Sequence, residues 1–305
     1  MRLTVCIPHY RSIDSLRRVL EALNRQEVQS LELRNDVKIL VVNDDLVIKL
    51  NKEDYIFDNL NLGIINKVNQ GPATTRNVGI EEAAGRFIFF LDADSVPAPN
   101  WLEVMLKSIE SDPTVMAVGG QVQPMPTRGI VNEYYNITNR LRTPIFDKHT
   151  GEIVTIITAN CGFKLDALRD VGGFDSKNFY GRRPGGEDVD LTYRLKQRGY
   201  KLKYESDAII FHEYPKTLLS IFIKNSNYGW GMKVFCRVRG IDPQFIRQPR
   251  LGPLPFFTYC LQIFNKTKQS FVQFKEQTTM SKAIAFTSFD IIRNFAYTYG
   301  YFFKN

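Results

Sequence analysis

The stretch Arg86-Phe-Ile-Phe-Phe-Leu-Asp-Ala-Asp-Ser95 constrains this chain more than any other. The apolar run Phe87 to Leu91 has the length of one buried strand. It stops at two carboxylates, Asp92 and Asp94, with the small Ala93 between them. In a mostly parallel sheet, ligands sit in the crevice beyond the carboxyl ends of the strands. Two aspartates there make a hard oxygen site for Mg2+ or Mn2+, shared with phosphate oxygens. Taken alone, the stretch reads equally as a polar turn leading into Val96-Pro97-Ala98-Pro99.

The residues before it alternate between strand and helix. Leu3–Ile7 reads as a strand closed by Pro8-His9-Tyr10, and Ser12 is placed to cap a helix over Ile13–Gln26 with Leu16, Val19, Leu20 and Leu23 on one face. Val37–Val42 is a second buried strand, ending at Asn43-Asp44-Asp45, and a short strand is expected near Tyr55–Phe57. Strand, helix, strand with polar residues at each carboxyl end begins a parallel α/β sheet. Gly71-Pro72 suits the entry to a helix running to Ala84, with Arg76 and Asn77 near its start. Helix amides and a guanidinium favour phosphate, although an ion pair would occupy Arg76 as well.

After the aspartates the pattern predicts a helix over Asn100–Glu110, a strand over Val115–Val118, a helix over Ile130–Leu141 and a strand over Ile153–Thr158 that ends in Ala159-Asn160-Cys161-Gly162. A short helix over Leu165–Val171 stops at Gly172-Gly173-Phe174-Asp175. Gly185-Gly186 then opens a helix to Arg198 whose first turn holds Glu187 and Asp188. Acids there either face a ligand or simply complement the helix dipole. Strands over Lys201–Tyr204 and Ala208–Phe211 lead to His212, which is either a partnered polar residue or a third ligand for a metal on Asp94.

Beyond His212 the character changes. Residues 213–305 hold 13 Lys/Arg against 4 Asp/Glu, so this segment carries the basic excess of a chain whose net charge is +8. Of 38 aromatic residues, 15 fall in the last 61 positions. Helices are expected over Leu218–Phe235, Phe256–Phe274 and Ala283–Tyr301, separated by a Pro-rich stretch from Asp242 to Pro255; Lys224, Lys268, Asp290 and Arg293 interrupt them, so none reads as membrane-spanning. Their aromatic faces are either core or contact with an anionic membrane surface. The expected division is thus residues 1–212 and 213–305. Four scattered cysteines and an N-terminus without a signal-peptide core point to the cytoplasm, with peripheral contact at the inner face of the plasma membrane.

Together these pieces resemble the family 2 glycosyltransferases of GT-A fold. The resemblance rests on Val5-Cys-Ile-Pro-His-Tyr10, Val41-Val-Asn-Asp44, Gly71-Pro-Ala-Thr-Thr-Arg-Asn-Val-Gly79, Phe90-Leu-Asp-Ala-Asp94, Ala159-Asn-Cys-Gly-Phe163, Gly172-Gly-Phe-Asp175 and Glu187-Asp188, in the family's order. It implies a Rossmann-like, mostly parallel sheet flanked by helices, here with a C-terminal helical extension. By the same resemblance Pro8, His9 and Tyr10 line the nucleotide pocket, Asp44 takes a ring N–H of the base, and Arg76 sits near base or phosphates. Asp92 with Ala93 contacts ribose or metal, Asp94 and His212 hold Mn2+ or Mg2+, and Asn160 and Cys161 lie where donor sugar or acceptor approaches. Asp188 becomes the catalytic base and Glu187 orients it or the acceptor.

Two departures bear on the base pocket. Family members often read Asp-Asp-Gly-Ser after the second strand and Tyr-Asn after the first; this chain reads Asn43-Asp44-Asp45-Leu46 and Tyr10-Arg11. The Gln-x-x-Arg-Trp of processive polymerases is missing from the Asn227-Tyr-Gly-Trp-Gly231 region. The expected activity is therefore a metal-dependent, inverting, single-addition transfer from a nucleotide-diphosphate sugar, UDP first, to a hydroxyl of a glycan or lipid-linked acceptor. Two alternatives stand beside it: a sugar-phosphate nucleotidyltransferase, which would usually carry a Gly-rich basic loop where Ile7–Ser12 stands, and a non-catalytic nucleotide-sugar-binding module, against which the intact Asp92, Asp94, Glu187 and Asp188 argue. No nucleic-acid-binding motif accompanies the basic tail.

Overall fold

The computed structural model describes residues 1–126, 128–138, 145–146, 153–181, 185–241 and 255–304. The Pro-rich connector at 242–254 and residues 139–141 of the expected helix lie outside them. The chain forms two compact units: Met1–Pro126, Thr138–Arg182 and Glu187–Glu213 make the first, and Thr127–Ile137, Arg183–Gly186 and Tyr214–Asn305 the second.

The first unit is a mixed α/β layer. Its elements in order are β1 (Leu3–His9), α1 (Ile13–Asn24), α2 (Leu33–Asp36), β2 (Val37–Asn43), β3 (Asn61–Asn66), α3 (Pro72–Glu81), β4 (Phe87–Leu91), β5 (Ser95–Pro97), α4 (Trp101–Glu110) and β6 (Val115–Pro124). After α5 (Ile130–Thr138), which belongs largely to the second unit, come β7 (Ile145–Phe146), β8 (Ile153–Thr155), β9 (Asn160–Lys164), α6 (Leu165–Asp170), α7 (Glu187–Gln197) and β10 (Lys201–His212). Eight strands make one sheet in the order β3-β2-β1-β4-β9-β6-β10-β5. Six run in one direction; β9 and β5 run against them. β4 is buried along its whole length, as an all-apolar strand covered on both faces must be. Phe89 meets Trp101 of α4 edge-on at 6.1 Å, and Leu16, Val19, Leu20 and Leu23 of α1 complete that side of the core.

Several expectations are corrected. No strand forms at Tyr55–Phe57; Tyr55 follows a 3-10 turn (Lys52–Asp54) and packs into the core, while β3 lies at Asn61–Asn66, where Gly63 and terminal asparagines weaken any apolar pattern. Among the described residues Ile153–Thr155 pairs only with β7, and the strand that enters the main sheet is β9. Gly162 sits so close to Phe89 that a Cβ there would lie 2.5 Å from its ring, which explains a small residue mid-strand. The two strands expected before His212 are one, bulged between Glu205 and Ile209. Ser12 occupies the N-cap of α1, but its side chain makes no capping bond.

The second unit is helical, with α8 (Leu218–Arg239), α9 (Pro255–Gln277) and α10 (Met280–Phe303) joined by most of α5. The Tyr134 ring packs among Phe274, Phe286 and Phe289, and its hydroxyl donates to the buried Asp290. Thr217 and Ser220 form a reciprocal capping box at the start of α8, and Gly240 ends it in the left-handed conformation. α8 and α10 touch backbone to backbone: a Cβ on Gly229 would lie 1.9 Å from the Tyr297 carbonyl oxygen, and one on Gly300 1.8 Å from that of Ser226. Among the described residues, no helix is long and apolar enough to cross a membrane. Gly229→Ala is expected to force the two helices apart at a cost of about 1–3 kcal/mol. Thermal unfolding checks this, and an unchanged midpoint would contradict the close crossing.

Candidate active site

Six strands run in parallel, so their carboxyl ends share one edge, and β1, β2, β3, β4 and β10 deliver to it Tyr10, Asp44, Lys67, Asp92 and His212. β9 runs the other way and therefore begins there, with Asn160 opposite Leu91 and Cys161 opposite Phe90. β5 pairs antiparallel with β10, and His212 faces Ser95, the residue after Asp94. That register brings the imidazole to the aspartates. His212 Nε2 lies 3.8 Å from Asp92 Oδ2 and 3.6 Å from Asp94 Oδ1, and one ligand atom from each of the three falls within 4.8 Å of the others. His212 Nδ1 is bonded to the Glu213 carbonyl oxygen, which can only accept. With Nδ1 donating there, the protonated ring also points its Nε2–H at the carboxylates, and a ring that has lost that proton turns its Nε2 lone pair to them or to a metal between them. Two carboxylates and an imidazole fit Mn2+ or Mg2+ as a donor set.

Arg76, early in α3, joins this group to α7. Its guanidinium is buried, donating from Nη2 to Asp92 Oδ1 at 3.0 Å and from Nη1 to Glu187 Oε1 at 2.9 Å, with the Phe174 ring 5.6 Å from its centre. Burial works against the charge, but Asp92 and Glu187 together hold the guanidinium more firmly protonated than usual. Burial also opposes ionisation of Asp92, yet His212 and Arg76 outweigh it and keep its carboxyl well below the usual range. Asp188, beside Glu187 in the first turn of α7, goes the other way. Burial first, then the Glu187 charge, pushes it up to about 7, although its Oδ1 accepts the Val189 N–H at 2.9 Å.

The mounting of α7 uses Asp190 and Arg194, which the sequence did not single out. Arg194 donates to Asp190 at 2.9 Å and to the carbonyls of Val171 and Gly173. Asn77 clamps Phe174 in both directions, each bond 2.8 Å. The Gly-Gly-Phe-Asp motif is thus tied to α3 and α7 together. A conspicuous arginine one helical turn after an aspartate was the available signal for Asp190–Arg194.

Other residues singled out by sequence sit at the same edge in different circumstances. Both Asp44 oxygens accept internal bonds, from Lys67 Nζ and the Gln70 N–H on one side and from Asn69 Nδ2 and the Gly71 N–H on the other. His9 is buried and its Nδ1 meets Asn43 Oδ1 at 2.9 Å; burial lowers its pKa, leaving the ring neutral. Pro8 and Tyr10 flank it, and the Arg11 guanidinium lies 5.0 Å from the Tyr10 ring centroid. Asn160 is fully buried and fully used: it accepts from Trp101 Nε1 and donates to the carbonyls of Gln121 and Ala208. Ala93 is buried between the aspartates. Cys161 is buried too, and burial pushes its thiol well above the ordinary range, so it stays protonated.

Two outcomes follow for stability. Arg76→Met is expected to cost about 3–5 kcal/mol in urea unfolding, because it strands two carboxylates. Asn160→Ala is expected to cost about 2–4 kcal/mol through orphaned buried partners, without the charge effect. Either variant unfolding like the wild type would contradict the corresponding bonding.

The model of the family described as "Glycosyl transferase family 2" matches residues 4–172. The chain is similar to the pre-mycofactocin glycosyltransferase of Mycobacterium tuberculosis (strain ATCC 25618 / H37Rv), 27% identical over 234 residues, which is 74% of this chain and 46% of that one. It thus spans about half the length of that curated relative. Two solved structures share its fold. A mannosyltransferase from Pyrobaculum calidifontis in complex with GDP-Man and Mn2+ superposes with a TM-score of 0.61 at 15% identity, covering 100% of this chain and 88% of the other. S. aureus TarS 1-349 in complex with UDP-GlcNAc gives 0.53 at 15% identity, covering 98% and 91%.

Proposed function

The chain belongs to glycosyl transferase family 2, and on that premise we propose that it moves one sugar from a nucleotide-diphosphate sugar to an acceptor hydroxyl with inversion at the anomeric carbon. The observation that carries this reading is Arg76, whose one guanidinium binds both Asp92 of the Asp92–Asp94–His212 group and Glu187 beside Asp188. An electrophile-binding group and a base candidate are thereby fixed to one another.

Asp92, Asp94 and His212 would hold Mn2+ or Mg2+. A divalent ion there supplies Lewis-acid neutralisation of the leaving diphosphate. Asp188, with its pKa raised to about 7, receives the acceptor proton as the new bond forms. Glu187, held by Arg76, orients the acceptor or Asp188. Cys161 stays a thiol and supplies no nucleophile, which favours a single displacement. Pro8, His9 and Tyr10 line the nucleotide pocket in this reading. Asp44, its oxygens taken up by residues 67–71, acts by shaping that pocket as well as through any contact with the base. Asn160 likewise braces the sheet beneath the donor sugar.

UDP is the first choice of carrier and GDP the next; similar solved proteins hold UDP-GlcNAc and GDP-Man. The acceptor is a glycan or a lipid-linked hydroxyl, and residues 213–305 bring the protein to an anionic membrane surface, the inner face of the plasma membrane.

A thermal-shift panel of nucleoside diphosphates with and without Mn2+ tests the donor class. Stabilisation by one nucleotide, dependent on Mn2+ and lost in Asp94→Ala and His212→Ala, is expected; no response to any nucleotide would sink the reading. Asp188→Asn is expected to keep that stabilisation while transfer falls about 10²–10⁴-fold. Since the base must be ionised, wild-type kcat/KM should fall about tenfold per unit below pH 7. A flat profile from pH 5 to 8 would remove Asp188 from the role.

A further inference from the structure

The second unit bears a surface that the chemistry leaves unused. Along α10, Ile291, Phe295, Tyr299 and Phe303 recur at four-residue intervals and so share one face. Leu219 and Ile223 of α8 stand outward as well, and the six are 41% to 68% exposed. Phe222 joins the two groups, its ring 6.4 Å from Phe295 and 5.8 Å from Tyr299. Since the two helices meet backbone to backbone at Gly229 and Gly300, the patch is carried on a single rigid support.

Charge decides what can cover it. α8 contains Lys224, Lys233, Arg237 and Arg239 and no carboxylate. The one acid of α10, Asp290, is 1% exposed and bonded to Tyr134. The pair therefore presents no exposed carboxylate, and the charges it carries outward are cationic. A second copy of the same face would set like charges against each other, whereas an anionic lipid surface satisfies rings and cations together.

We propose that the α8–α10 face, through Leu219, Ile223, Ile291, Phe295, Tyr299 and Phe303, lies on an anionic bilayer with its rings at headgroup depth. This rests on the reading that residues 213–305 make peripheral membrane contact, and it narrows that contact to one face. Neither helix is long and apolar enough to cross the bilayer.

The full chain is sedimented with phosphatidylcholine vesicles, with and without phosphatidylserine. Binding only to the anionic vesicles is expected. It should weaken about tenfold or more in Ile223→Ser/Phe295→Ser, the scale for losing buried apolar side chains. These exposed positions should leave the thermal midpoint and its nucleotide response unchanged. If the wild type ignores anionic vesicles, both the membrane contact and this face are overturned. If the double variant binds as the wild type does, only the face is wrong. If the wild type is a dimer, the variant a monomer and neither binds vesicles, the face is an interface between copies.

Discussion

One buried guanidinium holds the first unit's chemistry together. Arg76 bonds a carboxylate 16 positions ahead and another 111 ahead, and losing it would take a cationic partner from both. The arginine is itself held in turn. Phe174 lies against it, Asn77 fixes Phe174, and Arg194 fixes the carbonyls just before Phe174. The end of β4 and the start of α7 are therefore located by one network. A lysine could carry the charge but could not span both acids with a planar fork.

The same network divides the labour between acids. Asp92 and Asp188 are both half-buried, yet one is held ionised far below the usual range while the other is pushed up to about 7. The difference is in the neighbours: Arg76 and His212 favour the charge on Asp92, and Glu187 disfavours it on Asp188. Carboxyl groups pushed apart in this way are the pattern expected of a site that must hold charge in one place and accept a proton in another.

Much of this was legible in the chain. The run from Phe87 to Leu91 and its abrupt polar end located β4, and the paired glycines before Glu187 located α7. What periodicity could not reveal were elements made by their neighbours. β5 exists because β10 offers it an edge, and β9 is a strand whose glycine answers to Phe89. Arg76 read as either a phosphate ligand or an ion pair, since its partner 111 residues away leaves no local mark. Two residues from the two departures meet: Arg11, at φ 59°, donates to Asp45 at 2.7 Å.

The reversed strand at the middle of the sheet has a consequence for how the protein is made. β9 is the only neighbour that β4 has on one side, and it is also what joins β6 to the rest. As the chain leaves the ribosome, Phe87–Leu91 must therefore wait with an open, wholly apolar edge until residues 160–164 emerge. An unpaired apolar strand of this kind is the sort of edge on which wrong pairing starts. Closing the sheet requires a pairing between segments about seventy residues apart, made by five residues.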